Sequence, residues 1–267
     1  MTVVLLWTDK TEGLLWCVSD GRFSRGQFPM TDFAAKILEV PIKLLKQDNE
    51  NVFGRPIATT TLGFAYCGSS LIALQIYTAV LPLWARIMAY HSDRLPSILD
   101  CSIHLADVAL AYADDLQKNG FNGDGCECIL FGWCPTCNDY KGYAISVEAR
   151  DAASAVIRDL DLISGRVQVF GTAKAEISTR IQDALTSDST HASPGRKPKQ
   201  FIRELLRGDA PRGIGGALQI GIATPQGFGL YQDVAPLVEG RAPARMTFRG
   251  FRVGEVGANP IGLPGMV

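Results

Sequence analysis

Residues 2–24 read TVVLLWTDKTEGLLWCVSDGRFS, and the fold prediction starts from this pattern. Two apolar runs, at residues 2–8 and 14–19, flank a polar segment that ends at Gly13. Runs of this composition, joined by a short polar turn that contains glycine, predict the two strands of a β-hairpin. This hairpin makes Thr2 the first residue of the first strand.

Further along the chain, strand-like and helix-like patterns alternate in groups. Strands are predicted at residues 34–40, 61–68, 126–133, 140–147, 167–170, 217–223 and 228–234, and helices at 71–90, 98–118, 172–185 and 201–207. This order predicts two antiparallel sheets with helices outside, which is an α+β sandwich. We expect one domain over residues 1–234. A tail rich in Gly, Pro and Arg, at 235–267, would pack along the surface or a neighbouring subunit.

The helix predicted at residues 98–118 has apolar residues at helical spacing along one stripe, which predicts its buried face. The stripe consists of Leu99, Ile103, Ala106, Leu110, Ala113 and Leu116.

The composition excludes several classes of protein. Of the 267 residues, 47% are apolar and 20% are charged, so the chain can bury enough surface to fold and is not disordered. The net charge is -1, which leaves no positive excess for nucleic acid or an anionic membrane surface. The seven cysteines, an odd number, favour reduced thiols over a secreted disulfide framework, and we expect a cytoplasmic protein.

Residues 56–85 carry no charge and are long enough to span a bilayer. Polar side chains interrupt this segment, and Gly63 and Gly68 divide it into a short apolar strand and a following helix. A buried strand and helix is the favoured interpretation, and a transmembrane helix is the alternative, because hydropathy alone does not separate the two. We therefore expect no membrane association.

Common hydrolase and nucleotide-binding motifs are absent, and the three histidines are scattered. The remaining candidate for chemistry is Thr2, because an initiator methionine is usually trimmed before a residue this small. Removal of Met1 would leave a free α-amine on Thr2. Such an amine is partly neutral near pH 7 and can act as the general base for the hydroxyl of the same residue.

The segments that follow Thr2 form an ordered set. They are SDGRFS at residues 19–24, AKI at 35–37, GFAYCGSSL at 63–71, VFGTAKAEIS at 169–178 and GIGGALQIGIA at 213–223. This set resembles proteasome β-subunits and their bacterial relative HslV over most of residues 2–233. In that family an N-terminal Thr starts the first strand, an Asp-Gly turn follows the second and a Lys opens the third. The resemblance implies a threonine-type N-terminal nucleophile hydrolase with a four-layer αββα sandwich.

The same resemblance implies a role for each matching residue. Thr2 would be the nucleophile, with its α-amine as the base. Lys36 would lie beside the hydroxyl and the amine as a cation that keeps the amine neutral. Asp20 would hold the Lys36 ammonium, and Thr172 takes the place of the family's supporting Ser.

Two further roles fall on the segment at residues 63–71. Gly68, at the turn from strand to helix, would supply the backbone N–H of the oxyanion hole, a contribution of about 3 kcal/mol in comparable sites. Phe64 lies near the family's specificity-pocket position, which favours a restricted, apolar pocket. Tyr66 and Cys67 replace small glycines of the family pattern and would crowd the oxyanion site.

Other positions depart from the family pattern and support a second hypothesis. The family has an Asp and a Ser before its late glycine, where this chain has Arg212 and Gly215, with Gly216 as the glycine. Asp209 is a candidate for the missing carboxylate. The departures favour the alternative that the chain is a non-catalytic scaffold subunit of the same fold.

A cysteine cluster supports a third hypothesis, a zinc-stabilised interaction domain. Cys126, Cys128, Cys134 and Cys137 form two closely spaced pairs around a predicted turn, and four thiolates can bind zinc tetrahedrally. Against zinc, the first pair has strand spacing, in which cysteine packs as a small apolar residue. The favoured interpretation has no metal and no cofactor.

The first hypothesis also predicts partners. The family's fold generally encloses its sites inside an assembly, so we expect a homo-oligomer with a ring or helical arrangement. The substrate would be a peptide or protein, and an ATPase unfoldase is a candidate partner.

Overall fold

The computed structural model describes residues 2–25, 28–47, 54–89, 93–163, 166–186, 194–208, 210–234, 246–248 and 251–252. These residues form strands and helices in a mixed α+β arrangement. The strands are β1 (Val3–Asp9), β2 (Leu14–Ser19), β3 (Phe23–Arg25), β4 (Phe28–Thr31), β5 (Ile37–Lys46), β6 (Arg55–Gly68), β7 (Ile87–Met88), β8 (Cys126–Cys134), β9 (Asp139–Glu148), β10 (Ser154–Asp159), β11 (Gln168–Gly171), β12 (Gln219–Thr224), β13 (Gly227–Tyr231), β14 (Asp233–Val234), β15 (Met246–Phe248) and β16 (Phe251–Arg252). The helices are α1 (Ser70–Trp84), α2 (Ile98–Lys118), α3 (Lys174–Thr186) and α4 (Lys197–Arg207).

The chain divides into two compact units, each with a large sheet. The first consists of Met1–Ile37, Ile163–Ile222 and Leu230–Val267, and the second of Leu38–Leu162 and Ala223–Gly229. A five-stranded sheet has the order β11-β1-β2-β12-β13, and a six-stranded sheet has the order β10-β9-β8-β6-β5-β7.

The predicted N-terminal hairpin is present in the first unit. β1 and β2 pair antiparallel with Trp7 opposite Trp16, and the two indole rings stack with centres 5.9 Å apart. The Asp9 carboxylate accepts the N–H of Thr11, and Gly13 has φ +64°, which only glycine adopts readily. The sequence forms a hairpin here because the turn chemistry and the apolar strands act together.

The core of the first unit lies between this sheet and two helices. α3 packs on β11, and α4 packs on β2 and α3. The buried side chains include Leu5, Trp16, Ile177, Ile202 and Ile220. The residues of β1 between these inward positions are buried too, so both faces of the strand are covered, and its sequence is apolar from Val3 to Trp7.

The second unit also places two helices on its sheet. α1 packs on β6 and β8, while α2 packs on β8, β9 and β10. The pairings of β6 with β8, β8 with β9 and β9 with β10 are antiparallel, whereas β5 and β7 pair in parallel.

The buried face of α2 differs from the predicted one. Its bounds match the prediction, and Ala106 and Ala113 are buried as expected, but Leu99, Ile103 and Leu110 are 44%, 46% and 42% exposed. The helix instead buries a neighbouring set that includes Ile98, Cys101, Leu105 and Ala109. This set repeats at the same helical spacing, so periodicity alone does not select between the two stripes.

Other predictions differ from the structure at element ends. α1 ends at Trp84 rather than at residue 90, because the chain then forms β7 beside Leu44 and Leu45 of β5. β10 and the hairpin of β3 and β4 were not predicted from the sequence.

The uncharged segment at residues 56–85 forms most of β6 and all of α1. Among the described residues, none of the helices combines the length and hydropathy needed for a membrane span.

Candidate active site

Residues at the ends of three strands meet at Thr2. Thr2 directly precedes β1, Asp20 directly follows β2, and Lys36 directly precedes β5. The hairpin register places Val4 opposite Ser19, so the start of β1 lies beside the end of β2. Residues 34 positions apart in sequence are thereby brought within reach of one another.

The structure joins these three side chains by hydrogen bonds. The Lys36 ammonium donates to Thr2 Oγ1 over 2.7 Å and to Asp20 Oδ1 over 3.1 Å. Thr2, Asp20 and Lys36 are only 5%, 0% and 2% exposed. An ion pair this deeply buried is stable only where further hydrogen bonds satisfy both charges.

Backbone groups supply those bonds to Asp20. Val3 N donates to Oδ1 over 3.1 Å, and Gly215 N and Arg22 N donate to Oδ2 over 3.2 Å and 3.3 Å. Burial raises the pKa of Asp20, while the charge of Lys36 and the N–H groups of Val3 and Gly215 oppose the rise by favouring the carboxylate. The carboxylate is therefore held in one orientation from several sides.

Gly215 contributes to the site through its backbone N–H. It stands where the resembled family has a serine, and it presents its N–H to Asp20 while leaving room for the Arg22 guanidinium. A Cβ at this position would lie 2.5 Å from Arg22 Cζ. Arg22 is in turn held by both carboxylate oxygens of Asp32, over 2.6 Å and 3.0 Å.

Gln219, which no sequence motif indicates, positions the backbone of Lys36. Its Oε1 accepts the N–H of Lys36 over 3.0 Å and that of Ile37 over 3.4 Å, and its Nε2 donates to the carbonyl of Ala34. The signal in the sequence is an amide inside the apolar run at residues 217–223, because a buried amide needs partners.

Two glycines allow the backbone to close around the site. At Gly171, which pairs with Val3 and has φ +108°, a Cβ would lie 1.8 Å from the carbonyl oxygen of Thr2. At Gly21 a Cβ would lie 2.8 Å from the carbonyl oxygen of Asp32. Only glycine fits either approach without a backbone shift.

Other predicted site residues are not joined to this cluster. Thr172 is exposed in the turn after β11, and within the described residues no hydrogen bond links it to Thr2, Asp20 or Lys36. Arg212 lies in the turn before Gly215, and Asp209 is outside the described residues.

Phe64, Tyr66 and Gly68 lie on β6 in the second unit. Phe64 is fully buried, with its ring 5.4 Å from that of Tyr77, so its side chain has no exposed surface that would line an open pocket. Tyr66 and Cys67 are also buried. Gly68 has φ +88° at the end of the strand, directly before Ser69, the N-cap of α1.

The four cysteines proposed for zinc do not share one site. Cys126 and Cys134 lie at opposite ends of β8, and eight strand residues span about 26 Å. Zinc requires all its thiolates within about 2.3 Å of the metal. No group of three or more metal-binding side chains is present among the described residues.

Comparisons with known proteins add no assignment to this geometry. No protein-family model and no curated protein matches the chain.

Proposed function

We propose that the chain is a threonine-type N-terminal nucleophile hydrolase that cleaves peptide or amide bonds through Thr2. The observation that carries the proposal is the Lys36 ammonium, which donates to Thr2 Oγ1 while it is held by Asp20. A buried cation beside a hydroxyl favours the alkoxide that develops when the hydroxyl attacks a carbonyl carbon.

The α-amine of Thr2 completes the site once Met1 is removed. The amine takes the hydroxyl proton as Oγ1 bonds to the carbonyl carbon, and it then returns that proton to the leaving amine. Water, deprotonated by the same amine, releases the acyl group from the threonine ester. Asp20 acts through Lys36 as a positioning residue, and the fold proposed for the whole chain is the αββα sandwich.

The family resemblance adds the remaining parts of the proposal. Gly68 is proposed as the oxyanion donor, and a homo-oligomer is proposed as the working form. The cytoplasm is the proposed location, with an ATPase unfoldase as a candidate partner.

The experiment is to treat the purified protein with a threonine-directed electrophile and to measure intact mass. We expect protein without Met1 to gain one adduct, which peptide mapping places on Thr2. Thr2→Ser should still be labelled, whereas Thr2→Ala should not. Thr8→Ala, which changes another threonine of the same hairpin, is the matched control and should label as the wild type does.

Three outcomes would contradict the proposal. They are an adduct that survives in Thr2→Ala, a folded protein without Met1 that takes no label, and retention of Met1 in the protein isolated from its source. The last two would favour the non-catalytic scaffold subunit, because the same fold would then lack a working nucleophile.

A further inference from the structure

The turn between β8 and β9 contains a cysteine pair that the hydrolase site does not use. Cys134 is the last residue of β8, and Cys137 follows after Pro135 and Thr136. The turn is closed by Asn138, whose N–H donates to the Cys134 carbonyl over 2.9 Å and whose φ is +51°. Asp139 then pairs with Cys134 across the hairpin.

The sulfur of Cys134 is surrounded by donors. Thr136 Oγ1 lies 3.1 Å from it, and the backbone N–H groups of Ile98, Cys137 and Thr136 also favour its thiolate form. Ile98 is the first residue of α2, so its N–H has no acceptor within the helix and lies at the helix end where negative charge is favoured.

These donors stabilise a thiolate at Cys134. Burial raises the pKa of the Cys134 thiol, but the hydroxyl of Thr136 and the three N–H groups outweigh burial and hold that pKa below its usual value.

Cys137 lies on the open side of the same turn. It is exposed, whereas Cys134 is buried. Thr136 Oγ1 lies 3.8 Å from the Cys137 sulfur as well as 3.1 Å from the Cys134 sulfur. The two sulfurs therefore lie on one turn within 4 Å of the same oxygen atom, which makes them neighbours.

We propose that Cys134 and Cys137 form a reversible thiol–disulfide exchange site, with Cys137 as the entry thiol and Cys134 as the resolving thiol. The co-reactant is a small disulfide. The Cys137 thiolate attacks one sulfur of that disulfide, forms a mixed disulfide and releases the first thiol. The Cys134 thiolate then attacks the Cys137 sulfur, forms the intrachain bond and releases the second thiol.

The step balances. Two cysteine thiols lose two electrons and two protons, and the external disulfide gains them as two thiols. A thiol in excess reverses both steps. Thr2 takes no part in this exchange, so a test of the cysteine pair is independent of the proposed hydrolase activity.

Three other buried cysteines have raised thiol pKa values, which disfavours the thiolate that this exchange needs. Burial raises the pKa of the Cys67 and Cys101 thiols to about 12, and it raises that of Cys17 further. Cys126 and Cys128 have sulfurs only 3.8 Å apart, but both are buried. This second pair is an internal control, since it has proximity without an exposed entry thiol.

The experiment is to equilibrate the full-length protein with oxidised and reduced glutathione at increasing ratios. Acid quenching, maleimide labelling after unfolding and peptide mapping then locate each disulfide. We expect a Cys134–Cys137 bond in the wild type, while Cys126 and Cys128 remain reduced at the same ratios. Addition of excess reduced glutathione should restore both thiols.

Single variants test the order of the two steps. Cys134→Ser should stop at a stable glutathione adduct on Cys137, because the resolving thiol is missing. Cys137→Ser should leave Cys134 unmodified, because the buried sulfur is not the entry point. Cys101→Ser, which removes another buried thiol, should behave as the wild type.

The proposal is overturned if the wild type stops at a glutathione adduct on Cys137. It is equally overturned if Cys137→Ser is modified at Cys134, or if Cys126 and Cys128 oxidise at the same ratio as the turn pair. Far-ultraviolet circular dichroism checks that each variant is folded, and serine keeps the small polar group at both positions.

Discussion

A lysine ammonium is retained in a protein core only where oxygen atoms replace the water that it loses. Lys36 has the hydroxyl of Thr2 and the carboxylate of Asp20 for this purpose. The carboxylate itself receives three backbone N–H groups. The cluster therefore depends on its charges being present together.

Removal of one charge should cost more than removal of both. We expect Lys36→Met to lower the free energy of unfolding by about 3–5 kcal/mol, because the Asp20 carboxylate would be left buried without its cation. The double variant with Lys36→Met and Asp20→Asn should be more stable than the single variant, because no unpaired charge remains. Urea titration followed by tryptophan fluorescence measures both.

The matched control is Lys43→Met, which removes an exposed lysine from β5 and should change stability by less than about 0.5 kcal/mol. A single variant at Lys36 that is as stable as the control would show that the ion pair is not buried as described.

At the scale of elements, the close approach of β11 to β1 sets the position of Thr2. Gly171 lies opposite Val3, and the space that a side chain would need is filled by the Thr2 carbonyl. A left-handed backbone and a steric conflict coincide at this residue, and both forbid a Cβ.

Gly171→Ala should destabilise the protein and displace Thr2. Its control is Gly13→Ala, since Gly13 also has a positive φ but no atom lies within 4 Å of the added Cβ. We expect Gly13→Ala to cost about 1–2 kcal/mol from backbone strain alone, and Gly171→Ala to cost clearly more. Thermal unfolding measures the difference, and equal costs would contradict the close approach.

A second element-scale feature is the lysine that α4 buries against the sheet. The Lys199 ammonium lies 5.4 Å from the ring centre of Trp16. Burial lowers the pKa of Lys199 to about 8, with Arg203 and Arg196 acting in the same direction and Asp233 and Glu12 opposing it.

This shift predicts how stability depends on pH. An unfolded lysine titrates near pH 10, at about 10.4. Between pH 8 and that value the unfolded chain binds more protons than the folded chain, so this residue makes the free energy of unfolding rise with pH. Below pH 8 Lys199 is charged in both the folded and the unfolded chain, and the burial of that charge then lowers the free energy of unfolding by its full amount.

Lys199→Met should therefore raise the urea midpoint at pH 7 and reduce its rise between pH 8 and 10. The measurement is a set of urea titrations at several pH values for the wild type and the variant. Lys43→Met serves as the control for loss of one positive charge. An unchanged pH dependence in Lys199→Met would contradict the assignment.

At the scale of the whole molecule, α2 leaves apolar side chains uncovered. Leu99, Ile103 and Leu110 lie on one stripe of the helix, and each is more than 40% exposed. Leu71 and Leu83 of α1 are exposed as well. Exposed apolar side chains that share one face of a helix are candidates for association with another molecule.

The proposed homo-oligomer should therefore depend on the α2 stripe. We expect the wild type to have a mass in solution that is a multiple of the chain mass, and the variant with Ile103→Glu and Leu110→Glu to dissociate toward the monomer. Light scattering coupled to size exclusion measures both. Ala175→Glu with Thr179→Glu adds the same charges to exposed positions of α3 and should leave the assembly intact. A monomeric wild type would contradict the prediction.

Patterns along the chain were enough to predict the order and type of most elements. The N-terminal hairpin, the bounds of α2 and the strands on either side of the cysteine turn follow from patterns within a few residues, because strand and helix periods are local properties. The candidates Thr2, Asp20 and Lys36 also came from the sequence, through the resemblance of an ordered set of segments.

The surroundings of those candidates and the choice of buried faces depend on contacts between distant segments, which the patterns do not show. Gln219 lies 183 residues from Lys36, and nothing local to either residue predicts their hydrogen bond. The exposed stripe of α2, the full burial of Phe64 and the contact of Gly171 with Thr2 depend in the same way on distant segments. Burial and close approach are set by packing between elements, whereas composition and periodicity describe each element alone.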